Sequence, residues 1–423
     1  MAKKAEIEQT EIEAPYELPD GWKWERASNF ADIFTGNSIN ENVKKEKYTG
    51  ITEGLNFIGT KDVDFDGTIN YENGVKISDY EHFKTVPSNT PLLCIEGGSA
   101  GKKLGITSEQ VCFGNKLCAF VCKNVEPKLV YYYLQTNAFF YSFMKERHGL
   151  IGGVSVGTLK NIPFPLPPTV AEQRRIVNRI ETMFAKLDQA QEKAQAVLDS
   201  FETRKAAILH KAFTGQLKID NEELTIDDWE ETTIGDCCKL GSGGTPSKSH
   251  PEYYENGDIP WLKTGEIDWN DIYDVEEKIT NEGVENSSAK IFPAESVVVA
   301  MYGMGVTRGK AAIIKIPTTT NQAVCVLQPN EKLNNRFLFY YFMCNYWQVR
   351  EQSVGGNQLN LSGKIIAGFP IKLPPLNYQL SIVNFLDTVL EKENRAKEAT
   401  QTVLDQIALL KKSILARAFR GEL

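Results

Sequence analysis

Residues 206–217 read AAILHKAFTGQL and residues 412–423 read KSILARAFRGEL. With Leu217 laid on Leu423, the same offset brings Ile176-Val177 onto Ile382-Val383 and Val197-Leu198-Asp199 onto Val403-Leu404-Asp405. Further upstream, Leu166-Pro167-Pro168 matches Leu373-Pro374-Pro375 with a one-residue slip. Trp24-Glu25 and Gly36 answer to Trp229-Glu230 and Gly241. One ungapped offset held across about 40 residues marks an internal repeat. The chain is a tandem duplication.

Each copy has a globular part and a helical part. Residues 15–165 and 218–372 are rich in Gly, Asn, Thr and aromatics and are broken by turn pairs such as Asp66-Gly67, Asn73-Gly74 and Asn256-Gly257. Short β-type runs lie between the turns, at 92–95, 118–122, 296–301, 311–316 and 323–327. The aromatic stretches 130–144 and 337–349 read as helices and their rings as packing. Residues 166–217 and 373–423 read as long-helix segments: each opens on a Pro-Pro pair, after which no Gly or Pro occurs until Gly215 and Gly421. Residues 1–14 read as a flexible tail.

Apolar residues in the helices alternate at spacings of four and three, a heptad seam. The pairing residues expected from it are Ile176, Ile180, Met183, Leu187, Val197, Phe201 and Ile208 in the first helix. In the second they are Ile382, Leu386, Val389, Val403, Ile407, Leu410 and Ile414. Arg204, Glu393 and Thr400 intrude on the seam and point to a pairing that is imperfect or register-specific. About 40 residues at ~1.5 Å rise give a rod of ~60 Å that needs a partner for its apolar stripe, and its own duplicate is the nearest one. The expected fold is mixed α/β (α+β) domains, duplicated and joined by two long antiparallel coiled-coil helices with a pseudo-twofold. The competing arrangement packs each helix on its own globular domain.

Composition sets the outer limits. The chain has 423 residues, 42% hydrophobic and 24% charged, which fits several ordinary domains and excludes a disordered or collagen-like chain. No apolar run reaches the ~18 residues of a membrane span, and the charged start is not a secretory signal, so a cytoplasmic protein is expected. The eight cysteines include no Cys-x-x-Cys pair and no histidine at ligand spacing, which predicts reduced thiols and no metal. Net charge is −8, but residues 218–236 alone hold eight carboxylates against one lysine. Outside this acidic connector the chain is near neutral, which leaves room for basic faces and a polyanionic partner.

No catalytic engine is legible. Gly363-Lys364 lacks the earlier glycine and the following Ser/Thr of a phosphate loop, and Gly-x-Ser-x-Gly and His-Glu-x-x-His are absent. Asn161-Ile162-Pro163-Phe164 resembles the Asn-Pro-Pro-Phe/Tyr tetrad with which amino-methyltransferases grip a flipped base, with isoleucine in place of the first proline. The alternative reading is a strand running into the Pro-Pro hinge. Polar loops carry more. Residues 97–103 (GGSAGKK) correspond to 303–310 (GMGVTRGK), and both follow a β-run and end in cations. Residues 35–40 and 241–248 also correspond. Glycine lets backbone approach a surface closely, Lys and Arg reach phosphates and guanine edges, and amides reach adenine. The candidate contacts are Thr35, Asn37, Ser38, Lys61, Ser99, Lys102 and Lys103 in the first domain. In the second they are Ser242, Thr245, Lys263, Tyr302, Arg308, Lys310, Asn357 and Gln358.

Two variable domains, each followed by Leu-Pro-Pro and a helix ending in Ala-Phe-x-Gly-x-Leu, resemble the DNA-specificity subunit of type I restriction–modification systems. The residues are Leu166-Pro167-Pro168 with Glu172-Gln173, and Ala212-Phe213-Thr214-Gly215-Gln216-Leu217. The second set is Leu373-Pro374-Pro375 with Gln379, and Ala418-Phe419-Arg420-Gly421-Glu422-Leu423. The second hinge departs by one lost residue and by Tyr378 where the first has Glu172. The resemblance implies that each globular part is a target-recognition domain for half of a bipartite double-stranded DNA site. It implies that the helices set the gap and dock two methyltransferase subunits, with restriction/translocase subunits joining them. It also implies that S-adenosylmethionine binds in those methyltransferase partners and that this chain is non-catalytic and binds no cofactor. The other function classes are a helical scaffold that does not bind DNA and a stand-alone adenine methyltransferase.

Overall fold

The computed structural model describes residues 15–147, 152–219, 222–223, 226–303, 305–355 and 359–423. The tail 1–14, Asn357, Gln358 and part of the acidic connector lie outside the described residues. The chain divides into two compact units, Met1–Gln195 with Thr402–Leu423, and Ala196–Gln401. The two follow one plan.

In the first unit the apolar runs at 92–95 and 118–122 become the centre of an antiparallel sheet ordered Ala31–Thr35, Leu117–Cys122, Pro91–Cys94, Leu104–Ile106. Strands covered on both faces need continuous apolar sequence, and Leu92, Leu93, Leu117 and Phe120 are fully buried. A second sheet, Lys76–Ile77, Leu55–Ile58, Val111–Phe113, Thr85–Val86, contains a parallel pair, with Phe57 opposite Cys112. In the second unit the runs at 296–301, 311–316 and 323–327 form the corresponding sheet: Cys238–Ser242, Val324–Pro329, Val297–Ala300, Ala311–Ile314, with Asp271–Ile272 as a fifth strand. Its companion is Lys278–Ile279, Ile259–Leu262, Thr318–Thr320, Ile291–Phe292.

Each aromatic stretch forms two helices rather than one. Pro127–Tyr133 and Asn137–Lys145 meet at Thr136, whose hydroxyl accepts from Phe139 N at 3.2 Å and so caps the second helix. Asn335–Cys344 and Tyr346–Glu351 break at Asn345. Tyr133, Phe139, Phe337 and Phe342 are buried in the cores, while Tyr141 and Trp347 stay exposed.

The long helices are Val170–Phe213 and Leu376–Ala418. Each is anchored near its start by a buried glutamine. Gln173 accepts from Glu126 N (2.9 Å) and donates to Pro167 O (3.2 Å). Gln379 accepts from Asn334 N (2.9 Å) and donates to Pro374 O (2.9 Å) and Lys332 O (2.8 Å). These bonds tie the hinge to the loop before the aromatic helices and account for the shared glutamine. At the other end Gly215 and Gly421 adopt φ of 70° and 73°. Gln216 N and Glu422 N donate to the carbonyls of Lys211 and Arg417, closing both helices in the same way.

Within each unit a segment of one helix runs antiparallel to a segment of the other. Glu202 pairs with Lys397 (3.2 Å) and Arg204 with Glu393 (2.8 Å) in the second unit. Asp188 pairs with Lys411 (2.5 Å) in the first. Two of the polar intruders on the expected seam are therefore partners.

The seam itself needs correction. Val197, Val403 and Leu410 are 44%, 44% and 50% exposed and leave it. Their C-terminal neighbours Leu198, Leu404 and Lys411 are half-buried in their stead. A straight α-helix repeats at 3.6 residues, so a strict 3.5 pattern drifts about 20° per heptad and mislays the stripe along the rod. Phe201 and Ile407 are buried, and Met183, Leu187 and Val389 are half-buried. Near the ends the stripe serves globular cores. Ile176 and Ile180 join the first unit's core with Leu415, Ala418 and Phe419, and Ile414 packs against it. Ile382 and Leu386 join the second unit's core with Leu209 and Ala212, and Ile208 packs against it. The Ala-Phe of the repeated motif is thus a packing element, and helix-on-domain packing coexists with helix pairing.

Candidate nucleic-acid interface

In the first unit the candidate residues lie at or just past the C-terminal ends of Ala31–Thr35, Leu55–Ile58 and Pro91–Cys94, strands drawn from both sheets. Ala31–Thr35 ends in Gly36, where an added Cβ would lie 1.8 Å from Phe113 O, so only glycine lets the chain turn there. The matching glycine in the second unit is Gly243, 1.8 Å from Thr320 O by the same construction, and not Gly241. Three nearby glycines (Gly241, Gly243, Gly244) hide that register in the sequence. Past the turn, Asn37 N donates to Phe113 O (2.9 Å), and its side-chain oxygen accepts from Lys84 N (2.8 Å). Lys84 Nζ reaches Thr35 O at 2.8 Å. Asn37 bridges to Gly114, whose N donates to Ile58 O and which abuts Gly59, the residue before the turn Thr60–Asp62 that presents Lys61. Lys103 Nζ donates to Thr60 O (3.2 Å) and lies 5.1 Å from the Phe65 ring centroid. Phe65 is 69% exposed.

One rim therefore brings together Thr35, Asn37, Lys61 and Lys103, with Ser38 and Lys102 exposed alongside and Ser99 half-buried in the turn before Lys102. Lys84, Lys116 and Phe65 belong to it too and lie outside the predicted set. Lys116 is placed by Ile95 N donating to its carbonyl, and with Lys103 it acts on the Cys94 thiol, which burial nonetheless raises. Lys84 has no local signature, since its partners lie some fifty residues away.

The second unit assembles the corresponding loops with different electrostatics. Ser242 ends its strand, and Trp261 Nε1 holds Gly244 O (3.0 Å). Thr245 donates to the side-chain oxygen of Gln322 (2.5 Å), an exposed amide outside the predicted set. Lys263 is paired with Glu277 (2.7 Å), whose hydrogen bond holds the ammonium above its usual pKa, and Glu276 stands 3.6 Å away. Lys310 is paired with Asp268. Tyr302 and Val306 are exposed near Arg308. Asn357 and Gln358 lie outside the described residues.

Both glycine-rich loops are braced by an arginine that the sequence did not single out. Arg147 Nη2 donates to Gly97 O (3.2 Å), and Gly97 N donates to Gly152 O (3.1 Å). Arg350 donates to Arg308 O (2.5 Å) and Gly305 O (2.7 Å), stacks over Tyr346 at 5.2 Å, and shares the loop with Tyr346 OH, which bonds Val306 O.

The methyltransferase-like tetrad keeps its aromatic ring from any base: Asn161 is exposed, with its amide donating to Gly157 O (3.0 Å), but Phe164 is buried. Pro163–Leu166 pairs with Lys23–Arg26, and Phe164 is 1% exposed among Phe30, Phe120, Tyr133 and Phe139. It is the strand before the hinge. The eight cysteines are unpaired, and burial pushes thiols such as Cys118 up to about 12, so they are poor nucleophiles. Among the described residues no three His, Cys, Asp or Glu side chains converge as metal ligands, and no helix is long and apolar enough to cross a membrane.

Comparison with known proteins gives one consistent family. The chain matches the type I restriction modification DNA specificity domain twice, at residues 19–198 and 226–406. It is 27% identical over 263 residues to the Escherichia coli type I restriction enzyme EcoR124I/EcoR124II specificity subunit, a match covering 62% of each chain. It is 22% identical to the StySPI specificity subunit of Salmonella potsdam, over 96% of this chain and 90% of the relative. Among solved structures, it shares the fold of a chain from the complex assembly and conformational transition of the type I R-M system. That match has a TM-score of 0.77 at 18% identity and covers 97% of this chain and all of the other. The HsdS subunit from Thermoanaerobacter tengcongensis gives 0.65 at 20% identity, over 98% and 100%.

Proposed function

Since the chain belongs to the type I restriction modification DNA specificity domain family, we propose that it is the non-catalytic DNA-recognition subunit of such a system. Each globular domain reads one half of a bipartite double-stranded target through its loop rim. The paired helices fix the gap between the halves and carry two methyltransferase subunits, to which restriction/translocase subunits add. S-adenosylmethionine binds in the methyltransferase partners, and the assembly works in the cytoplasm.

The observation that carries this reading is the duplicated rim. Both copies turn on a glycine pressed against a neighbouring carbonyl and present polar loops, while within each unit segments of the two long helices pair by ions and apolar contacts. Two linked readers gain effective concentration, so each domain needs only modest affinity. Half-sites about one helical turn, ~34 Å, apart suit two rigidly linked readers.

Mapping methylated adenines in the host genome with and without the gene tests the proposal. Loss of one bipartite motif is expected. An unchanged methylome would favour a scaffold that does not bind DNA, and methyl transfer by the purified chain alone would favour the stand-alone enzyme.

A further inference from the structure

The geometry points to Arg147 and Arg350 as positioning residues for sequence reading, each setting the shape of one recognition loop and so the fidelity of one half-site. This rests on the reading above, in which the loops at 97–103 and 303–310 face DNA.

The two arginines occupy the same place in the plan, at or just past the end of the second aromatic helix, Asn137–Lys145 in one unit and Tyr346–Glu351 in the other. Each turns its guanidinium back onto carbonyls of the glycine loop of its own domain. The loops need such a brace. Gly97 and Gly101 have φ of 81° and 74°, and Gly303, Gly305 and Gly309 have 143°, 65° and 87°. A chain so rich in glycine loses much conformational entropy when it is ordered. Contacts from outside the loop must then hold one conformation.

Arginine suits the task. Its planar fork donates to two carbonyls at fixed separation, which an ammonium does not reproduce. Arg350 uses both arms, on Arg308 O and Gly305 O, and its stem packs where a Cβ on Gly309 would sit 3.0 Å from its Cγ. Arg147 uses one arm on Gly97 O and fills the space beside Gly152, where a Cβ would sit 2.4 Å from its guanidinium. The second loop is the more firmly braced, and it carries the exposed Val306 and the half-buried Arg308. Neither brace contacts DNA in this account. Each acts through the loop it holds.

The test uses the full chain co-expressed with its methyltransferase partner, methylated-adenine mapping of the genome, and thermal melting of the purified chain. Arg350→Ala is expected to raise methylation at sites with one mismatch in one half about tenfold relative to the cognate motif, with the other half unchanged. Arg147→Ala should relax the opposite half. Arg350→Lys should fall between Arg350→Ala and the parent, because it keeps the charge and one bond. A fold-wide defect would instead lower occupancy of both halves together with the melting temperature. Undisturbed fidelity in both alanine variants, or parallel loss in both halves, overturns the inference. Arg308→Ala separates this from failure of the DNA reading. If Arg308→Ala alters one half-site while Arg350→Ala does not, the brace is wrong and the loop reading stands. If Arg308→Ala leaves the motif intact, the loop reading has failed.

Discussion

The two rims share a backbone plan and differ in where their cations go. In the first domain Lys84 and Lys103 bond backbone carbonyls, and among the described residues neither they nor Lys61, Lys102 and Lys116 form an ion pair. In the second, Lys263 and Lys310 are neutralised by Glu277 and Asp268. A duplicated fold thus fixes where loops stand but not what they carry, and under the proposed function the first domain's lysines are the ones that would meet phosphate.

The largest consequence is on DNA binding. Replacing Lys61, Lys84, Lys102 and Lys103 together by alanine should weaken binding several hundredfold at physiological salt. The salt dependence should flatten by roughly 0.9 for every phosphate that no longer meets a cation. Lys263→Ala with Lys310→Ala should change both far less. Binding titrations across a salt series check this, and equal effects from the two sets would erase the contrast.

The copies also differ where the repeated motif docks. Phe419 is 1% exposed against Tyr133, whereas Phe213 is half-buried against Phe337 and Tyr341 beside an open groove. Phe419→Ala should cost about 3 kcal/mol or more, and Phe213→Ala clearly less, in denaturant unfolding of the full chain. Equal losses would mean that the groove does not soften the second site.

Along the seam, Arg204 and Glu393 occupy the repeat positions held by Leu410 and Leu187 in the other copy. Arg204 stacks over Phe201 at 4.3 Å, and both members of the pair are partly exposed, at 39% and 25%. Arg204→Leu should cost about 1 kcal/mol by leaving Glu393 without its partner, and Glu393→Leu added to it should recover most of that. A double-mutant cycle by thermal melting reads the coupling.

The smallest effect lies at a turn. Asn89 and Glu295 hold equivalent positions with φ of 60° and 66°, a region that asparagine tolerates and glutamate does not favour. Glu295 stays there bound to Lys315 (2.9 Å) and Asn335 (2.7 Å), and the Lys315 hydrogen bond lowers its pKa against the opposing effect of burial. A depressed carboxyl contributes stability above its unfolded-state pKa and loses it as pH falls through the folded one. Glu295→Asn should therefore shift neutral-pH stability by less than about 1 kcal/mol and flatten the decline on the acid side of the glutamate range. Melting curves from neutral to acid pH check it.

Much of the architecture is legible in the sequence because it rests on buried apolar residues. The runs at 92–95, 118–122, 296–301, 311–316 and 323–327 are the central strands, and the shared Leu and Ala of the helix ends, with Phe419, are buried core residues against which Ile208, Phe213 and Ile414 pack. The seam is ambiguous at Val197 and Leu198 because adjacent apolar residues satisfy both a 3.5 and a 3.6 period. The rims are only partly legible. Glu277 stands fourteen residues from Lys263, and Lys84 and the arginine braces act some forty to fifty residues away in sequence. Long-range polar partners leave no periodic trace.

The central claim is that paired helices set the separation of two independent readers. Adding seven residues to each helix, between Leu187 and Val197 and at the matching place between Glu393 and Val403, lengthens each rod by about 10 Å. Mapping the methylated motif of that variant should return both half-sites unchanged, with the gap widened by about three base pairs. An unaltered gap with intact half-sites would contradict the account.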